Sequence, residues 1–389
     1  MKIAYISHSR FPTEKAHGKQ IAEVCSALSE LGHEVTLICP RLKNNIFESA
    51  FEYYNIPDNY DVRFLHHFDG TTHFWVPGIL RFAITMFFYK RALKRFLSLH
   101  KFDLLYARSS LLLPQLVESN IPVIAELHII PNRFLNRFVF ALNKCVLVVS
   151  LTTPMRDALI SLGVDKEKVI VEGDGVLLNR FTALENAQSI REYYGLPKNK
   201  KILGYVGSLV TRNTIEKGVI EILEAISVLE KQGMAICGFI VGGPKDWKLK
   251  YMKHARSLGL SDENVIFADR VPVSKVSSLL HACDVLVYPA PASLHPYFMR
   301  DTSPLKMFEY LASGKEIVCA DIPPLRDVVS EESVSLFSPG DSTGMASAIS
   351  KVFFQDISVS DSKKKKRAEL AKWYNWKNRM ERIISRAET

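Results

Sequence analysis

KIAYISHSRFPTEKAHGKQIAEVCSALSELGHEVTLIC, residues 2–39, decides the fold. It opens on one apolar run, KIAYIS (2–7), and closes on another, EVTLIC (34–39). Between them, GKQIAEVCSALSELG sets Ile21, Val24, Ala27, Leu28 and Leu31 on one helical stripe, which Gly32 stops. Strand, helix, strand is the unit of a parallel sheet, and it recurs. Further strands are expected at DVRFLHH (61–67), DLLYA (103–107), PVIAEL (122–127), CVLVVS (145–150) and KVIVE (168–172). A second series then starts: ILGYV (202–206), ICGFIVGG (236–243), NVIFA (264–268), DVLVYP (284–289), EIVCAD (316–321) and SVSLF (333–337). The alternation predicts an α/β protein of two Rossmann-like domains, each a mainly parallel sheet with helices on both faces, facing across a central cleft. The boundary falls after GDGVLLNRF, near residues 175–195.

A length of 389 residues suits two domains, each with its own core. A net charge of +9 points to anionic partners. Nucleic acid is disfavoured, because the basic residues are dispersed and no recognition module is present. Six cysteines, at 25, 39, 145, 237, 283 and 319, form no CxxC pair and read as reduced and buried. The first residues read as a strand rather than a leader, and no run of about 18 apolar residues suggests a membrane span. The first strand is followed by SHSRFPTEKAHGK and lacks G-x-G-x-x-G, which argues against a dehydrogenase.

Ligands of such sheets sit beyond the carboxyl ends of the strands. That rule selects Ser7 to Gly18, His128, Gly207 to Lys217, Gly242 to Pro244 and Pro289 to Lys306. In RDTSPLKMFEYLASGK (300–315), Ser303 reads as an N-cap, Pro304 as the first helical residue and Lys306 as the third. A cation there opposes the helix dipole by about 0.3–1 kcal/mol unless an anion binds at that end. TIEKGVIEILEAISVL repeats the pattern, with Thr214 as cap and Lys217 third. The bland alternative for Lys306 is a surface pair with Glu309.

DTSPLKMFEYLASGKEIVCADIPPLRDVV (301–329) resembles the signature of family 4 retaining glycosyltransferases, which have the GT-B architecture of twin Rossmann domains. AELH (125–128), EGDGVLLNRF, GYVGSL followed by KG, FIVGG, SSLLHACDVLVYP and WYNWKNRMERII match in the same order, over nearly the full chain. The resemblance implies an acceptor-side domain at 1–180, a donor-side domain at 181–370, and a helix over 371–389, bearing Trp373 and Trp376, that packs back on the first domain. It implies transfer of a sugar from a nucleotide sugar (UDP- or GDP-linked) to a hydroxyl of a glycan or lipid-linked acceptor, with retention, for cell-surface polysaccharide or glycolipid biosynthesis. Neither a metal nor a further cofactor is implied, and the setting is cytoplasmic or peripheral at the inner membrane face. A nucleotide-sugar epimerase of the same fold and a non-catalytic nucleotide binder are the alternatives.

By the same resemblance, the acidic pair spaced E-x7-E falls on Asp301 and Glu309, the first one methylene shorter than usual. Asp301 lies by the transferred sugar and Glu309 binds the ribose. Thr302, Ser303, Pro304, Leu305 and Lys306 face the pyrophosphate. Lys217 is the phosphate-binding lysine, with Gly207 and Gly243 alongside. Ser208 stands where the family has an arginine, and Arg212 is the candidate for the missing charge. His128, Asp301 and Lys217 are the catalytic candidates, and Gly18 gives a substrate access to the backbone. Glu126 either turns away or fixes His128. Glu172-Gly173-Asp174 resembles a D-x-D metal motif but matches the family's interdomain turn, so it reads as structural. Residues 79–101 hold six Lys/Arg, no Asp/Glu and aromatics at 82, 87, 88, 89 and 96. That is either an interfacial helix for an anionic membrane or an ordinary domain helix. KKKKR (363–367) reads as a solvated helix face.

Overall fold

The first sheet is parallel and has the order β3-β2-β1-β4-β5-β6-β7. Its strands are β1 (Lys2–Ile6), β2 (Glu34–Pro40), β3 (Asp61–Leu65), β4 (Leu104–Ala107), β5 (Val123–Leu127), β6 (Leu147–Ser150) and β7 (Val169–Val171). The computed structural model describes residues 1–73, 77–182, 184–211 and 214–388. The second sheet has the order β12-β11-β8-β13-β14-β15. It is built from β8 (Lys201–Val206), β11 (Ile236–Val241), β12 (Val265–Ala268), β13 (Val285–Tyr288), β14 (Glu316–Ala320) and β15 (Ser335–Phe337), all parallel. A two-stranded hairpin, β9 (Val210–Thr211) with β10 (Ile215–Glu216), stands apart and has no counterpart among the expected strands.

The chain forms two units, Met1–Asp174 with Trp376–Thr389, and Gly175–Asn375. In both sheets the strand order reverses beside the first strand, between β1 and β4 and between β8 and β13, the switch point at which ligands of such sheets bind.

In the first unit, helices Gly78–Leu99, Leu113–Leu116, Leu135–Asn143 and Thr153–Ser161 share one core with the sheet, through Leu93, Leu116, Phe138 and Met155. Helix Ala16–Glu30 packs against Trp376–Glu388. Trp376 is fully buried there and donates from Nε1 to Glu23 Oε2 at 2.6 Å. Trp373, expected to pack back with it, instead ends the preceding helix in the second unit and is 55% exposed.

The lysine run also departs from expectation. Residues 363 and 367 sit one turn apart on the Ile357–Trp373 helix, on the side that meets the sheet. Arg367 is buried and pairs through two nitrogens with Glu316, at 2.9 and 3.2 Å. Lys363 reaches Ser335 Oγ at 3.0 Å. Only part of the run is a solvated face.

Candidate functional site

In the second unit the site is built on the strand ends β8 and β13. Tyr205 lies on β8 and Tyr288 ends β13. The Lys306 ammonium donates to Tyr205 Oη at 3.0 Å and lies 4.1 Å from that ring's centroid and 4.7 Å from that of Tyr288. It therefore turns to aromatic faces rather than to Glu309, and the surface pair is not formed. The Lys217 ammonium donates to Tyr297 Oη and sits 3.7 Å from its ring centroid. Tyr297 opens a π-helical turn, Tyr297–Asp301, a rare geometry that recurs at functional sites.

Burial, with the Lys217 charge beside it, holds the Lys306 ammonium well below the usual lysine range. Two cations therefore share an aromatic-lined pocket at the switch point. An arriving anion would remove both penalties.

The glycines make room for this arrangement. A Cβ on Gly242 would overlap the Gly207 carbonyl oxygen, so these two strand ends could not approach with any side chain there. Gly218 has φ +83° and would strike Pro289 at 2.8 Å, which fixes the turn that delivers Lys217.

Both expected helix starts are displaced. Pro304 keeps an extended ψ of 116° and takes the capping place from Ser303, so the helix runs Leu305–Ser313 with Lys306 second. Thr214 belongs to the β9–β10 turn, where its N–H reaches Thr211 O. The following helix is Val219–Lys231, capped by left-handed Gly218, so Lys217 precedes it rather than standing third.

Among the other candidates, Asp301 is held by the neighbouring Arg300 guanidinium at 2.6 and 3.3 Å. Thr302 is buried and Glu309 half-buried. Ser208 is exposed, with its hydroxyl on Val210 O at 2.6 Å and its carbonyl accepting from Tyr205 Oη at 2.6 Å. The Gly243 carbonyl accepts from Leu209 N. Arg212 lies outside the described residues.

In the first unit the organising group is Glu126, on β5 and fully buried. Its Oε1 accepts from Gln20 Nε2 at 2.5 Å and His128 Nε2 at 2.8 Å, its Oε2 from Tyr106 Oη at 2.5 Å and Arg379 Nη2 at 2.9 Å. Burial alone would raise this carboxyl, but Arg379, with His128 and Tyr106, keeps it well below the usual carboxylate range. An ionised carboxylate only accepts, so His128 carries its proton on Nε2 and presents Nδ1 as an acceptor. Burial and the Arg108 charge push His128 down to about 4, so the ring is neutral at physiological pH. Of the two readings of Glu126, fixing His128 is the correct one.

Arg379 also donates to the carbonyls of Gly173 at 2.5 Å and Glu172 at 3.2 Å, while Arg382 takes the Glu172 carboxylate at 2.7 and 2.8 Å. The 172–174 turn is thus held by arginines of the last helix. Glu126, His128 and Asp174 do bring ligand atoms within 4.8 Å of one another, but both Glu126 oxygens are already engaged, one of them by a guanidinium. Gly18 has a packing cause: a Cβ would overlap Tyr54 Oη, which bonds the Thr13 backbone.

Sequence reasoning held His8, His17 and Tyr297 only inside the selected spans without singling them out, and it missed Arg108, Arg379, Tyr205 and Tyr288. A signal existed for Arg108 and His8, which follow the carboxyl ends of β4 and β1 at the switch point. Burial and Arg108 push His8 down to about 4 and His17 to about 3.

Two Rossmann-ordered units, one with a cationic aromatic cluster at its switch point, define an α/β protein of the GT-B fold class. Comparison with known proteins narrows this. Residues 18–180 match the family model described as Glycosyltransferase Family 4, and residues 200–354 the one described as Glycosyl transferases group 1. Between them they take in most of the chain, and the protein belongs to the family 4 glycosyltransferases. It is similar to TuaC of Bacillus subtilis (strain 168), named as a putative teichuronic acid biosynthesis glycosyltransferase, at 27% identity over 184 residues. That match spans 47% of this chain and 41% of TuaC, less than half of each. Among solved structures, Anabaena HepE in complex with UDP-glucose superposes with a TM-score of 0.70 at 19% identity, covering 99% of this chain and 98% of that one. WaaG, a glycosyltransferase involved in lipopolysaccharide biosynthesis, gives 0.67 at 16% identity, covering 98% of both. At these identities the likeness is one of fold.

Proposed function

We propose that the protein is a retaining glycosyltransferase that moves a sugar from a nucleotide sugar to a hydroxyl of a glycan or lipid-linked acceptor in polysaccharide or glycolipid biosynthesis. The observation that carries this is the Lys306–Lys217 pair, whose ammoniums face phenols in a desolvated pocket. A leaving nucleoside diphosphate would meet both ammoniums there, and most strongly as the glycosidic bond breaks. The UDP-glucose complex of the structurally similar HepE supports a UDP-linked donor. His128 would accept a hydrogen bond from a sugar hydroxyl through Nδ1, not exchange protons. Asp301, Glu309, Gly207, Ser208 and Gly243 remain the donor-side candidates. On this reading the departing phosphate takes the acceptor proton on the same face, and no divalent metal takes part.

The test is a thermal-shift panel of UDP, GDP, ADP and their sugars in EDTA, followed by donor turnover. A ligand that binds only the folded state raises the melting temperature. One nucleoside diphosphate and its sugar should stabilise the protein with EDTA present, and the sugar should be released. Stabilisation that needs manganese would sink the metal-free reading. Stabilisation without sugar release would leave a pure binder, and isotope exchange at sugar C2 would reveal an epimerase.

The acceptor side carries a further proposal. No helix among the described residues is long and apolar enough to cross a membrane. The Gly78–Leu99 helix buries Met86, Tyr89, Leu93 and Leu97 but leaves Phe82 51% and Phe87 52% exposed, with Arg91 stacked 5.1 Å from the Phe87 centroid. Exposed rings among cations suit an anionic bilayer surface. The protein should pellet with anionic vesicles and not with neutral ones, and Phe82→Ser/Phe87→Ser should abolish pelleting. Equal recovery with both vesicle types would remove the membrane claim.

A further inference from the structure

Arg108 follows β4 at the switch point of the first sheet, half-buried, and its Nε is clamped by Gln20 Oε1 at 2.6 Å. Among the described residues its two terminal amino groups make no hydrogen bond, and neither is sealed from solvent, so the Gln20 clamp leaves a planar cationic fork open. Around it stand the half-buried imidazoles of His8, beyond β1, and His17, on the helix turn that presents Gln20. Neither ring has a hydrogen-bond partner among the described residues. Register places these groups together: Ile6 pairs with Ala107, and Ala107 with Ala125, so the ends of β1, β4 and β5 adjoin. Ser109, next to Arg108, keeps a buried hydroxyl with no partner among the described residues.

The nearby carboxylates do not balance this charge. Glu126 accepts from four donors, and Glu14 takes the Arg10 guanidinium. Asp174 is pushed up to about 7 by burial, so it carries only part of a charge at neutral pH. A half-buried fork without an anion costs solvation that a bidentate oxyanion would return. Imidazoles beside it can donate to an anion as well as accept from a hydroxyl.

We propose that Arg108, His8 and His17 form an oxyanion-binding site in the first unit, which takes a carboxylate or phosphate carried by the glycosyl acceptor. The word acceptor rests on the glycosyltransferase reading; the anion site does not. It sets a substrate class: a sugar or lipid-linked saccharide bearing a uronate or a phosphate close to the hydroxyl that is glycosylated.

The test uses the full chain carrying Lys217→Met and Lys306→Met, so that the second unit cannot supply the response. Inorganic phosphate and glucuronate are titrated in turn, and the imidazole nitrogens are followed by 1H–15N correlation NMR. Saturable shifts of His8 and His17 are expected with at least one ion, and Arg108→Gln should weaken that affinity about tenfold or more. The more potent ion assigns phosphate or carboxylate. His8→Ala/His17→Ala, followed by calorimetry because both reporter rings are gone, leaves the Arg108–Gln20 bond in place and should weaken binding too. No saturable shift with either ion, or unchanged affinity in both variants while their melting curves match the parent, overturns the proposal. No donor is present, so the outcome is independent of whether sugar transfer is observed.

Discussion

Arg379→Met is expected to destabilise the protein by about 3–5 kcal/mol, the cost of leaving a buried charge without its partner. Arg379 is fully buried and is the only cationic side chain hydrogen-bonded to Glu126 among the described residues. It also donates to the backbone carbonyls of Glu172 and Gly173, which would lose that donor together. Once the guanidinium is gone, burial weighs more heavily, and the Glu126 carboxyl should shift upward and hold its proton more readily. As it protonates, His128 loses the charged acceptor that fixes its tautomer. Equilibrium urea unfolding checks the first effect, and the His128 nitrogen shifts check the second. Arg379→Met/Glu126→Gln should recover part of the stability, because removing both charges leaves no orphan. A single variant within about 1 kcal/mol of the parent would show that the ion pair does not hold this unit together.

Removing both ammoniums, Lys217→Met with Lys306→Met, should weaken nucleoside diphosphate binding by roughly a hundredfold or more, since each charged hydrogen bond contributes about 1.5–3 kcal/mol. Folding should tolerate the change. Each ammonium donates to a phenol and the Lys217 charge disfavours that of Lys306, so two thioethers against the same rings replace a repulsive contact by apolar packing. Loss of binding with retained or raised stability is the signature of cations placed for a ligand rather than for the fold.

The sheets were legible because their strands are buried on both faces and read as continuous apolar runs, each bounded by turn residues. The β9–β10 hairpin was not, because two-residue strands carry no period. Helix starts slipped by backbone detail: Pro304 stays extended and Gly218 turns left-handed, neither of which composition displays. Lys306 and Lys217 were singled out by the helix-start pattern and again by motif resemblance, but their tyrosine partners were not, since a tyrosine in an apolar strand looks like any core residue. Arg379 was out of reach altogether. It meets Glu126 across 253 positions, and a basic residue on a terminal helix gives no sign of being buried. Arg367 hid in the same way inside a run of lysines.

Whether the Lys217–Lys306 pocket binds the diphosphate of the donor is tested most directly by calorimetric titration. UDP, or whichever nucleoside diphosphate stabilises the parent protein, is titrated into the parent and into the Lys217→Met/Lys306→Met variant. A saturable heat with the parent and none at the same concentrations with the folded variant is predicted. Equal affinities in the two proteins would contradict a diphosphate site built on these lysines.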